Sequence, residues 1–119
     1  MKLLAHYTIF DGNVFHLHTF DVTPEGITHS PVKAETAHTE FIEGILIIGS
    51  SDISGLTQRL AEITQSFGIQ GIASAADGIC RTLIETDTNY KPKQPIGLIK
   101  ITYPHFLVAE IKQKYHFRL

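Results

Sequence analysis

The run Gly44-Ile45-Leu46-Ile47-Ile48-Gly49 constrains the fold more than any other stretch of the chain. Between its two glycines every residue is apolar and most are β-branched. A strand with one wet face alternates apolar and polar residues, so a short run without that alternation reads as a strand buried on both faces. Such a strand needs hydrogen-bonded neighbours on each side and cover above and below. The rest of a 119-residue chain has to supply both.

The neighbours are predicted on either side of it in sequence. Leu3 to Phe10 and Val14 to Val22 are rich in β-branched and aromatic residues. Asp11-Gly12-Asn13 between them is turn chemistry, so the pair reads as a β-hairpin. Pro24-Glu25-Gly26 turns the chain again into Ile27 to Ala34, where Pro31 marks an edge or an irregularity. Thr39 to Ile42 and Ile45 to Ile48 add one or two strands around Gly44.

After Gly49-Ser50-Ser51-Asp52 the period changes from 2 to 3.6. Ile53, Leu56, Leu60, Ile63 and Phe67 then share one helical face, and Gly68 is placed to end that helix. A second helix is predicted from Ile72 to Glu85 on the stripe Ile72, Ala76, Ile79 and Leu83, with Gly78 its weak position. Thr86 to Pro95 reads as a loop, and strands return at Ile96 to Tyr103, Phe106 to Ile111 and Tyr115 to Leu119.

The expected architecture is therefore α+β: a single domain over residues 1–119, mainly a β-sandwich or rolled sheet. Strands of residues 1–49 and 96–119 build the sheet, and two helices within 50–86 are inserted between them.

Composition narrows the function classes. Ten Lys and Arg against twelve Asp and Glu, scattered along the chain, leave a formal net charge of −2. That is not the basic stripe of a nucleic-acid binder. No apolar run approaches the roughly 18 residues of a membrane span. Met1 to His6 turns polar too soon for a secretory signal, so a cytoplasmic location is expected. The single cysteine, Cys80, falls among Ile79, Leu83 and Ile84, where a thiol acts as a small buried hydrophobe. Asp52 and Glu85 have no evident partner, Glu35, Glu40 and Glu43 are placed toward solvent, and the glycines match no phosphate-binding pattern.

The seven histidines carry the most chemistry. Strict alternation sends His16 and His18 to one face of their strand. If Asp11, Gly12 and Asn13 form the loop, Phe10 pairs with Val14, Ile9 faces Phe15, Tyr7 faces Leu17 and His6 faces His18. His6, His16 and His18 then share a patch suited to zinc, nickel or copper, with water or a carboxylate completing the shell. The competing reading is a half-exposed sheet face on which histidines are simply tolerated. A small-ligand pocket between helices and sheet, lined by Phe41, Phe67 and Tyr90, is a third expectation.

Several segments, "AHYTIFDG", "TPEGIT" and above all "HTEFIEGILIIG", resemble the N-terminal strands of metal-dependent amidohydrolases of the chlorohydrolase and deaminase type. "LTQRLAEITQSFGIQGIA" and "KPKQPIGLIKI" are similar to that family's late helix and to the lead into the strand that rejoins its β-sandwich. In the family an apolar run ending in Pro-Gly leads into a catalytic His-x-His. Here Ile48 stands at the proline position, and Ser50-Ser51-Asp52-Ile53 follows without a histidine. His16-Leu17-His18 precedes the apolar run, in the wrong strand for that pair. A full (β/α)₈ barrel of about 250 residues has no room in the chain.

The resemblance thus implies the non-catalytic composite domain without its barrel, free of a cofactor. Its expected function is a binding or assembly module that forms a homo-oligomer or docks on a separate enzyme. The alternative is a metal-dependent hydrolase of C–N bonds, or a metal-binding protein, using His6, His16 and His18.

Overall fold

The structure is a computed structural model that describes residues 1–32, 38–50, 56–86 and 96–111. Nine elements follow in order: β1 (Lys2–Phe10), β2 (Asn13–His16), β3 (His18–Thr23), β4 (Gly26–Pro31), β5 (Thr39–Ser50), α1 (Thr57–Gly68), α2 (Ile72–Thr86), β6 (Ile96–Thr102) and β7 (Leu107–Glu110). The architecture is α+β, and the seven strands among the described residues form one mixed sheet. The order is β4-β3-β1-β5-β6-β7, with β2 also paired to β1. β1 and β5 run parallel, and the other pairings are antiparallel. The predicted strand from Tyr115, the helical position Ile53 and the loop residue Tyr90 lie outside the described residues.

The apolar run becomes the central part of β5, and its alternation divides the core. Ile45 and Ile47 point to the helices, where they join Ile9, Ile99 and Ile101 against Leu60, Ala75, Ala76, Ile79 and Leu83. Leu46 and Ile48 point the other way, to Leu3, Ala5, Phe20, Val22, Ile42 and Leu98. Each such buried Ile or Leu contributes about 1.5–3 kcal/mol relative to exposure. Thr39 to Ile42 and Ile45 to Ile48 are thus parts of one strand, paired with β1 on both sides of Gly44 and with β6 from Gly44 onward.

Two glycines make close packing possible. Gly78 looked like a flaw in the second helix, yet it is buried where α1 crosses α2, and a Cβ there would run into the ring of Phe67. At Gly44, with φ of 154°, a Cβ would meet the backbone carbonyl of Ile101. Both positions exclude a side chain for steric reasons.

Near Gly44 the sheet changes phase. Register slips between the pairs Ala5–Ile42 and Tyr7–Ile45, so β5 carries one extra residue there. In β1, Leu3 and Ala5 belong to the face opposite the helices, whereas Tyr7 and Ile9 belong to the helix face. The antiparallel partner shifts with it at Leu17, whose φ is 54° and whose N–H donates to the His6 carbonyl at 3.1 Å. A bulge of this kind reverses the facing of every side chain beyond it.

Candidate functional site

The first hairpin decides where the histidines go. Asp11 (φ 49°) and Gly12 (φ 79°) alone form the loop, a two-residue turn with both centres left-handed. Phe10 therefore pairs with Asn13, Ile9 with Val14, Thr8 with Phe15 and Tyr7 with His16. The expected three-residue loop is one residue too long, and every pairing derived from it shifts.

His6, His16 and His18 are consequently dispersed. His16 stacks on Tyr7 on the helix face, with ring centroids 4.8 Å apart. His18 lies past the Leu17 bulge on the opposite face, against Phe15 at 5.1 Å. His6 meets Phe41 edge-on at 5.2 Å, and its Nδ1 is buried with no hydrogen-bond partner among the described residues. Among the described residues no three His, Cys, Asp or Glu side chains group to hold a metal ion. The reason is the left-handed Leu17, which strict alternation has no means to anticipate.

A different histidine joins His18. The β3–β4 hairpin closes on Pro24 and Glu25, with Thr23 paired to Gly26 and the Thr23 hydroxyl donating to the Gly26 carbonyl at 3.0 Å. Counting back from that turn pairs Phe20 with His29 and His18 with Pro31. The Val32 N–H donates to the Leu17 carbonyl at 2.9 Å, so by alternation these two pairs are the non-hydrogen-bonded kind, whose side chains sit closest. His18 and His29 are diagonal neighbours on one face, and their Nδ1 atoms lie 3.3 Å apart.

Aromatic rings hold the pair. His29 stacks on Phe20 at 4.9 Å and 23° and tilts against Phe15 at 4.6 Å, and Phe10 approaches edge-on at 6.0 Å. Burial, and then the neighbouring His29, push the His18 imidazole below its ordinary range, which favours the neutral ring. The Pro24-Glu25-Gly26 turn is the signal in the sequence for this pair, since the register counted from it places His29 diagonally across from His18.

Two of the three residues expected to line a ligand pocket lie among the described residues. Phe41 lies beside His6 and Phe67 beside Gly78, both are exposed, and no ring contact joins them among the described residues. Tyr90 lies outside the described residues. A separate open cleft of about 300 Å³ lies between the first turn, at Gly12 and Asn13, and Asp77, Cys80 and Arg81 of α2. That is the lower end of the range for ligand pockets. The Cys80 thiol is pushed up by burial and then by Asp77, so it stays protonated and unreactive near neutrality. Arg81 is paired to Asp77 at 2.9 Å.

No helix among the described residues is long and apolar enough to cross a membrane. No family model matches the chain, and neither does any curated protein or solved structure.

Proposed function

We propose that the chain is a binding and assembly module that pairs with a second copy of itself through the edge strand β7. One observation carries the reading: among the described residues β7 is the last strand of the sheet, and it is apolar from Leu107 to Ala109. Leu107 is 64% exposed, and among the described residues β7 pairs only with β6. The Ile111 N–H donates to the Leu98 carbonyl at 2.8 Å, so alternation aims the N–H groups of Val108 and Glu110 away from β6. No proline or lysine blunts the strand.

A second copy fits this edge by register. A two-fold axis beside Ala109 sets Val108 of one copy opposite Glu110 of the other, where both outward donors find carbonyls. It also sets Leu107 beside Ile111 and keeps the two Glu110 carboxylates from meeting directly. The nearby Tyr103–Phe106 turn, whose rings are 5.6 Å apart, abuts the end of α1 at Gly68 and extends the apolar margin. This reading keeps the sense of the amidohydrolase resemblance, a composite-type domain standing without a barrel.

Sedimentation velocity across a concentration series tests it. The parent is expected to dimerise, and Glu110→Pro and Leu107→Lys to remain monomeric with unchanged circular dichroism. A monomeric parent, or dimers that survive both substitutions, would sink the proposal.

A further inference from the structure

We infer that His18 and His29 form a two-histidine site for a divalent transition-metal cation that favours imidazole, zinc or copper(II), with water filling the remaining positions. The site is independent of the β7 edge and differs from the three-histidine patch that alternation predicts.

The geometry is the first support. Two nitrogens that each lie about 2.0–2.1 Å from one ion, at a tetrahedral angle, are roughly 3.3–3.4 Å apart. The Nδ1 atoms of His18 and His29 are 3.3 Å apart. Without an ion the same gap is bridged by a hydrogen bond between the two rings, its direction set by their tautomers. An ion that replaces the shared proton would therefore find both ligands at a spacing that suits one centre.

The second support is that the rings are held in place by the protein alone. The stack of His29 on Phe20 and the shared packing of both imidazoles on Phe15 restrict their rotation. Both come from one hairpin with a two-residue loop, so the backbone adds little slack. Less conformational entropy is then lost when an ion binds. The phenylalanines also form the low-polarity shell that strengthens ligation, while His29, exposed on edge strand β4, leaves a path for solvent and the ion. The tetrahedral spacing suits zinc, while the general affinity order of imidazole ligands favours copper(II).

Calorimetric titration of tag-free, chelator-stripped full-length chain with zinc chloride, and separately with copper(II), tests the site. One ion per chain is expected, with affinity lowered about tenfold or more in both His18→Ala and His29→Ala. His16→Ala, on the other face, should bind as the parent does. Long-range proton–nitrogen spectra of the zinc-loaded parent should show ligation through Nδ1 of His18 and His29, a readout that does not depend on how the variants fold. A parent without binding, affinity retained in either alanine variant, equal loss in His16→Ala, or ligation through Nε2 would each overturn the inference. Leu107→Lys should bind zinc normally; loss there would place the site between copies and overturn it as a site within one chain.

Discussion

β4 closes one side of the sheet with Thr28, His29, Ser30 and Pro31 exposed, whereas β7 closes the other with Leu107, Ala109 and Glu110. Both strands are short, and each pairs with a single neighbour among the described residues. They differ in what they offer to another chain. By the same ladder alternation that aims Val108 and Glu110 outward, Pro31 occupies an outward position, so the donor it lacks is one that would have invited pairing. β4 thus keeps outward donors only at Ile27 and His29, and it presents its exposed side chains. β7 presents its backbone. One sheet can keep a side-chain site at one edge and an assembly surface at the other because an edge strand has only one unpaired side to commit.

The severest way to break this arrangement is at the point where the two halves of the sheet meet. Gly44→Ala puts a methyl group against the Ile101 carbonyl between two central strands, and should cost more than about 3 kcal/mol. The urea midpoint should fall accordingly, and both edges should lose their properties together. A midpoint near that of the parent would mean that β5 and β6 are not held as closely as described.

An exchange of edge chemistry sharpens the comparison directly. Pro31→Ala restores an outward N–H to β4 and should change stability by only about 0.4–1 kcal/mol while opening that edge to association. Combined with Glu110→Pro, it should move dimerisation from β7 to β4. Amide exchange would then show protection gained at residue 31 and absent at Val108. A double variant that stays monomeric would show that the missing proline donor is not what keeps β4 unpaired.

Cys80 separates the core from both edges. Its thiol is raised above the ordinary value of 9.0, so the folded chain holds that proton where the unfolded chain releases it. Stability should be full below pH 9.0 and decline as pH rises above it, and Cys80→Ala should remove that part of the decline in urea titrations. An unchanged alkaline slope would contradict the burial. The smallest effect is expected for Asp77→Asn, which breaks the exposed pair with Arg81 and should shift stability by less than about 0.5 kcal/mol.

The chain determined by itself that β5 is central, because a run without polar residues has nowhere to be but inside. It also determined the helical stripes, the turns at Gly12 and Pro24, and an edge strand at Pro31, since each follows from local sterics or periodicity. Where the histidines meet was decided by tertiary structure. Leu17 takes a left-handed φ that its own side chain disfavours, and it does so to keep its N–H on the His6 carbonyl while β1 changes phase beside β5. That phase change depends on Gly44 fitting against Ile101, far along the sequence. Alternation is a local rule, and a bulge that satisfies three strands at once is a property of the assembled sheet.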